Sequence, residues 1–383
     1  MITPRFYFLP TNIVYIFAVI IFFICGILWH ATSMPLLLPT TLIAMLTIAT
    51  LTTKKNVAKN TLLVALASTA FFAGNFRYKQ QIAAQEYFFK KTRGKTFDII
   101  ATVQNMQKND GAISPFCSTL FVKKIKESRE NASWEKLRKN IQIYTFKPLA
   151  LQVADKVKIK QITIKEPANK KFVAYLIKQS IAATIFKKNP SCKVLHRPRY
   201  AINRWLHLKK QTILNTLKRK MPRRLFAIFS SLFLGNKSSC KKETDKVKIK
   251  FKAWGILHLL ARSGLHLILF LLICEYILQW VPLYFLIKQI IMILLSILYL
   301  VLSWPSVSFI RAFSVLTAYK ACPLLNIKPD LIHIVAIICF TMLLHNPIQI
   351  FFLDFQLSFL LTFTLAIFSK IQTKQKRKQK IKN

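Results

Sequence analysis

The sequence predicts a mainly α-helical polytopic membrane protein with a small exported β-rich insert. Three observations carry that expectation. Hydrophobic residues make up 53% of the chain, with 31 Phe against only 7 Gly. Charge-free apolar runs recur towards both ends. Between them, residues 77 to about 220 change character and become basic and patterned like strands. A water-soluble chain of 383 residues would show more loop residues and a more even charge. The first division is therefore between membrane and water.

The run from Asn12 to Trp29 is free of charge and long enough, as a helix, to cross a hydrocarbon layer roughly 30 Å thick. Pro35 to Leu51 is a second such run, and Leu62 to Phe76 a weaker third. The first run lacks a strong basic start and a small-x-small site after it, which favours an uncleaved helix over a signal peptide. In the insert, Phe97 to Val103, Ser118 to Val122, Ile141 to Phe146 and Val157 to Ile164 are short alternating runs that read as strands. The last slips register once, around Gln161. Asn109-Asp110-Gly111 marks a turn. Several short strands together predict a small barrel or sandwich. Phe172 to Phe186 and Tyr200 to Lys220 fit helices, the second basic and amphipathic, suited to a membrane surface or to packing on the insert. Leu225 to Leu234 is apolar but too short to span, and Lys237 to Lys252 reads as a polar loop. Leu265 to Val281, Leu283 to Ser303, Val307 to Cys322, Leu331 to Ile350 and Phe352 to Phe368 are again mostly apolar.

Charge adds a direction. Lys and Arg number 58 against 13 Asp and Glu, a formal net charge of +45. Codon bias accounts for much of the Lys but not for so few acids. The surplus favours anionic partners, either lipid headgroups or nucleic acid. Residues 370–383 hold seven basic residues and no acid, and short basic segments stay cytoplasmic. With that tail and the Lys54 to Lys59 loop inside, residues 77 to 220 fall outside. The predicted layout is 1–76 N-terminal transmembrane helices, 77–190 exported β domain, 191–224 basic helix and linker, 225–369 transmembrane core and 370–383 cytoplasmic tail. Cys117 and Cys192 lie in the insert, where export would allow a disulfide, but the sequence does not set their separation. Cys25, Cys274, Cys322 and Cys339 read as small hydrophobes.

Polar groups within apolar runs need a reason. In LHLLARSGLHL, His258, Arg262 and His266 fall at i, i+4 and i+8 on one helix face, with Ser263 and Gly264 between them. Such a stripe lines a watery path for an anion or lies at the interface, where long side chains snorkel. In WPSVSFIRAF, Pro305 suits a helix start with Ser303 as N-cap, and Arg311 lies inside the helix. At midplane Arg costs at least about 2.5 kcal/mol, so it needs an acid, a carbonyl or water. Glu275, Asp330 and Asp354 are the candidate acids. In HNPIQIFFLDFQLSF, Asn346-Pro347 breaks a helix and Asp354, Gln356 and Ser358 enter the next run. This suits a cavity wall, or a turn followed by a capped helix. No HExxH, His-x-His-x-Asp or Walker pattern occurs, and the seven His are scattered, so no enzyme, metal or cofactor is expected.

These clusters, in this order, resemble the core of the ComEC family, the membrane channels of bacterial DNA uptake. The likeness rests on Leu232 to Asn236 (LFLGN), His258 to His266, Pro305-Ser306 with Arg311-Ala312, Asn346-Pro347, and Phe355 to Phe359 (FQLSF). Upstream, Ala154-Asp155-Lys156-Val157 and Phe172 to Phe186 resemble the end of the family's exported OB-like domain and the segment after it. The resemblance implies a pore passing single-stranded DNA inward across the cytoplasmic membrane, with His258, Arg262, Ser263, Gly264, His266, Arg311, Asn346, Gln356 and Ser358 along the path. It also implies an external DNA receptor and a cytoplasmic motor as partners; separately, a homodimer is the expected assembly. Arg262 and Asn236 depart from the usual Ile or Val and Asp. The chain stops soon after FQLSF, as in a shortened form without the family's metallo-β-lactamase-like domain, so a separate nuclease is expected. Two rivals remain open: transport of another anion, and a non-conducting anchor whose exported domain binds nucleic acid.

Overall fold

The computed structural model describes residues 11–32, 57–108, 116–128, 133–188, 190–235, 241–255, 264–304 and 307–382. The chain divides into two compact units. One comprises Met1–Ala83, Leu271–Leu294 and Ile310–Asn383, and the other Ala84–Phe270 with Leu295–Phe309.

The second unit is built on a six-stranded sheet of β1 (Thr96–Lys108), β2 (Phe116–Glu127), β3 (Glu135–Thr145), β4 (Lys156–Thr163), β5 (Ile181–Phe186) and β6 (Cys192–His196). Its order is β5-β3-β2-β1-β4-β6, and only β3–β5 is a parallel pair. Alternation in the sequence becomes alternation of faces. Ile99, Ala101, Val103, Leu120, Val122, Ile141, Ile143 and Ile185 turn to a common core. Phe88 and Phe89, from the end of helix α2 (Val57–Thr92), complete it.

The slip at Gln161 is a bulge. Phe97 faces Ile162 while Ile99 faces Ile159, and Gln161 takes a left-handed φ of 53°. One extra residue thus returns Ile162 and Ile164 to the buried face already used by Val157 and Ile159. The four expected strands coincide with β1 to β4, except that Phe146 and Ile164 each lie one residue beyond the strand's end. Asn109-Asp110-Gly111 lies outside the described residues. Cys117 on β2 and Cys192 on β6 are free thiols, with β1 and β4 between their strands in the sheet.

Three expectations need correction. Phe172 to Phe186 is not one helix: α3 (Lys170–Lys178) ends in a turn with Ser180 at φ 55°, and β5 follows. Pairing with β3 buries Ile181, Ala182, Ala183 and Ile185, so the sheet overrides the helical spacing. Lys237 to Lys252 is not all loop, because α6 (Lys241–Ala253) forms there. Its Lys and Glu are good helix formers, and Lys248 pairs with Asp245 at 2.7 Å one turn away. At residue 77 no break occurs, since α2 continues to Thr92.

Helix α4 (Ile202–Lys220) appears where expected. One side is tied to the sheet through Arg204 and the buried Leu214, while Ile202, Trp205 and Leu208 are exposed. After it come α5 (Arg223–Phe229), a π-helical turn over Ser230–Leu234, and Gly235 in a left-handed conformation at φ 75°. Glycine takes that φ without the Cβ penalty of other residues.

The other unit is helical. Its core joins Phe23 and Ile27 of α1 (Thr11–Thr32), Ala70 of α2, Val335, Cys339 and Leu343 of α10 (Leu331–His345), and Phe355 and Phe359 of α11 (Leu353–Lys382). Two of the seven glycines lock α1 against α2. A Cβ on Gly26 would stand 2.1 Å from the Phe71 carbonyl oxygen, and one on Gly74 2.2 Å from that of Phe23. Backbone thus meets backbone at both points, the close approach that small residues allow between apolar helices.

Between α6 and α10 lie α7 (Gly264–Gln279), α8 (Phe285–Leu302) and α9 (Val307–Ala321). Among the described residues, Phe285–Leu302 and Leu353–Thr373 are long and apolar enough to cross a membrane. Only 22% and 17% of those stretches is buried. Most core helices of water-soluble proteins hide such side chains, whereas Leu294, Leu298, Leu360, Leu361 and Phe368 here stand exposed. Pro35 to Leu51 lies outside the described residues.

Candidate functional site

In the sheet-containing unit, three of the sequence clusters converge on aromatic rings. Phe233, within LFLGN, meets the His266 ring edge-on at 5.6 Å and stacks on Phe229 at 5.2 Å. Tyr299, near the end of α8, donates its hydroxyl to the Phe233 carbonyl at 2.8 Å, and its ring contacts Phe270 and Phe309. The Trp304 amide donates to the Leu234 carbonyl at 2.7 Å. Carbonyls at the end of a helical turn lack partners within it, and here a phenol and a backbone amide supply them. His266 is half-buried one turn into α7, whose first residue is Gly264. Ser303 follows α8, its hydroxyl donating to the Leu300 carbonyl at 3.1 Å, and the predicted helix start at Pro305 lies outside the described residues.

In the helical unit, the break after α10 organises the other residues. Asn346 ends α10 and begins a short 3-10 turn, Pro347–Phe351, which leads into α11. Proline cannot donate an amide proton, and a broken helix leaves carbonyls without their i+4 partners. Three side chains reach carbonyls around the break. Arg77 Nε donates to Leu344 at 3.2 Å, Gln356 Nε2 to Ile350 at 2.7 Å, and Arg311 Nη2 to Asp354 at 2.5 Å. Asn346 is buried and accepts from Gln81 Nε2 at 2.8 Å.

The Arg311 side chain is only 2% exposed, and its guanidinium lies 5.6 Å from the Phe355 ring centre and 5.8 Å from that of Phe359. Of the acids expected for it, Glu275 bonds Lys320 at 2.7 Å and Asp330 bonds Lys370 at 2.7 Å. The Asp354 backbone carbonyl accepts the hydrogen bond from Arg311 Nη2. Ser358 is half-buried on α11, and its carbonyl accepts the Thr362 hydroxyl at 2.7 Å.

Thus Arg311, Asn346 and Gln356 all serve one helix break, while His266 and Gly264 belong to the other unit. His258, Arg262, Ser263, Asn236, Pro305 and Ser306 lie outside the described residues. Sequence reasoning missed Gln81 and Arg77, which hold the break from α2. Their signal was polar side chains inside a long helix that starts apolar.

It also missed a buried ion cluster in the sheet-containing unit. Asp155 is fully buried and accepts from Arg197 Nη2 at 2.9 Å, Arg204 Nη2 at 2.7 Å and the Gln152 amide at 2.9 Å. Arg204 also donates to the Val153 and Pro198 carbonyls. One carboxylate therefore ties the start of α4 to the sheet, and its hydrogen bonds hold Arg197 above the ordinary guanidinium range. Arg204, His207 and Leu208 of α4 share the lining of a cavity of about 350 Å³ with Gln107, Cys117 and Leu149. Burial, helped by the charge of Lys210, pushes the His207 imidazole below its usual range, and burial lowers Lys210 itself. Lys210 Nζ donates to the Ser303 carbonyl at 3.2 Å and lies 5.4 Å from the Trp304 ring centre. Among the described residues no group of three or more His, Cys, Asp or Glu is placed to hold a metal.

Residues 232–383 match the family model described as Competence protein. No curated protein and no solved structure matches the chain. The matched stretch contains LFLGN, His266, Arg311, Asn346-Pro347 and FQLSF, the same pieces that carried the resemblance. Residues 232–383 are therefore similar to competence proteins of the ComEC type, and the match supports a general role in competence and DNA uptake.

Proposed function

We propose that the chain is a channel component that passes single-stranded DNA across the cytoplasmic membrane during uptake. The observation that carries this reading is the competence match over the stretch holding His266, Arg311, Asn346, Gln356 and Ser358. The exposed apolar surfaces of Phe285–Leu302 and Leu353–Thr373 support a membrane setting. The strand order, with β1 paired to both β2 and β4 and β3 parallel to β5, supports an OB-like reading of the insert. The insert faces outward and the basic end of α11 faces the cytoplasm. His258, Arg262, Ser263 and Gly264 line the path with the residues above. An external receptor, a separate nuclease and a cytoplasmic motor complete the machinery, the channel itself acts without catalysis, and two copies assemble as a homodimer.

A second reading is favoured by one observation: Arg311, Asn346 and Gln356 all brace the break between α10 and α11. In that reading the helices are a non-conducting anchor for a nucleic-acid-binding insert. The test is entry of labelled DNA into the cytoplasm of the native host, comparing wild type, a deletion, His266→Ala and Arg311→Ala at matched abundance. Loss of entry with surface binding intact is the result expected of a channel. Unchanged entry in both point variants overturns the path.

A further inference from the structure

The outer face of the sheet carries a feature that no motif announced. Register places Gln107, Cys117, Tyr144 and Phe186 in one row across β1, β2, β3 and β5. The next row is Asn105, Thr119, Gln142 and Thr184. Residues between the rows, such as Ser118, Ile143 and Ile185, turn to the buried side. Cys117 is buried and, with Gln107, borders the cavity lined by α4, so the open part of this face is its β3–β5 end, where two aromatic rings lie beside half-buried amides and hydroxyls.

The rings are stacked, with Tyr144 half-buried and Phe186 open. Tyr144 and Phe186 stack with centroids 4.9 Å apart and planes 15° from parallel. Phe186 is 70% exposed. On α3, Phe172 and Tyr175 form a second, nearly parallel pair at 6.2 Å and 18°, and Tyr175 is close enough to Tyr144 to act on it electrostatically. The Tyr144 hydroxyl donates to Gln142 Oε1 at 3.2 Å. Burial, with added effects of Cys117 and Tyr175, raises Tyr144 to about 12, so it stays a neutral phenol.

Charge chooses among occupants. From Pro167 to Tyr200 there is no acid, and between Lys136 and Lys165 the sole acid is Asp155, which lies buried against two arginines. Lys147, Lys170, Lys171 and Lys188, close in sequence to these rings, are exposed. A face against lipid tails would carry aliphatic side chains and would not bury a row of amides. Flat rings for stacking, amides and hydroxyls for base edges, and lysines for phosphates match one chemistry.

We infer that the β3–β5–α3 face is a stacking platform for single-stranded nucleic acid, with Phe186 and Tyr175 as the base contacts. The inference rests on the DNA-uptake reading for the identity of the strand, while the site itself follows from the sheet register. It assigns capture to the insert before any passage through the helices.

The test is anisotropy of a dye-labelled oligothymidylate titrated with the full chain in detergent. Phe186→Ala and Tyr175→Ala each weaken binding about tenfold, the scale of one lost base stack. Phe186→Trp keeps wild-type affinity, whereas Phe186→Leu, apolar but unable to stack, falls with Phe186→Ala. Lys171→Gln lowers the salt dependence by about 0.7 in log–log slope. Phe186 is exposed, and an unchanged circular dichroism spectrum verifies that the variants fold. Wild-type affinity in Phe186→Ala or Phe186→Leu overturns the platform, as does a wild-type chain that does not bind the oligonucleotide. Loss of binding to phosphatidylglycerol vesicles, with oligonucleotide binding intact, assigns the face to lipid and also overturns it. DNA entry in Arg311→Ala reports on the channel separately: entry can fail there with oligonucleotide binding intact, and the reverse can hold.

Discussion

The two units bury opposite charges and neutralise them differently. In the sheet-containing unit, Asp155 is enclosed by two guanidiniums and a backbone amide. In the helical unit, Arg311 takes a backbone carbonyl and two aromatic faces, while Glu275 and Asp330 go to Lys320 and Lys370. A carboxylate in a domain bordered by water can recruit long basic side chains from elsewhere in the sequence. A guanidinium among apolar helices finds its acceptors in the backbone, where a break exposes them. The difference teaches that the helix break and Arg311 are one device: the break frees carbonyls and the side chain uses one.

The largest effect should come from Asp155→Ala, which strands Arg204 in a mostly buried site. A loss of about 3–5 kcal/mol is expected, read as faster hydrogen exchange across β1 and β4. Unchanged exchange would break the comparison by making the cluster incidental. Arg311→Ala should lose about 1–3 kcal/mol, because the Asp354 carbonyl is left without that donor. Arg311→Lys should not restore stability, since an ammonium cannot lie flat against two rings while donating to the carbonyl. A thermal shift in detergent decides this, and full recovery by Lys would reduce the site to bare charge. Gly74→Ala should lose about 1–3 kcal/mol by pushing α1 from α2, and protease sensitivity near Phe23 reads it.

The smallest effect is with pH. His207 has a lowered pKa in the fold, so the unfolded chain binds its proton first as pH falls. Stability of the sheet-containing unit is therefore full above about 6.5 and declines below it, towards the depressed folded value. His207→Gln should flatten that decline in thermal unfolding.

Much of the sheet was legible because alternation is local. Even the bulge at Gln161 showed, since Val157 and Ile159 share a parity that Ile162 and Ile164 abandon. The start of β5 was hidden, because Phe172 to Phe186 carries apolar residues at helical spacing and only pairing with β3 decides where the helix stops. α6 was hidden by its charge, which resembles a loop until the i, i+3 pair of Asp245 and Lys248 is considered. At the candidate site, Asn346-Pro347 signalled the break and Arg311 signalled a need for an acceptor. The sequence favoured no one acceptor, because the Asp354 carbonyl is a backbone atom 43 residues away. The partners Gln81 and Arg77 are more than 260 residues from their acceptors, beyond any periodic pattern.

The contact of Gly26 with Phe71 and Gly74 with Phe23 also bears on motion. Sliding α1 along α2 by one residue would bring a side chain onto a backbone oxygen now facing a bare Cα, and the two contacts are reciprocal, so rotation about either helix axis meets the same obstacle. The pair is thereby a rigid strut. Any rearrangement within the helical unit therefore has to carry α1 and α2 together at this crossing.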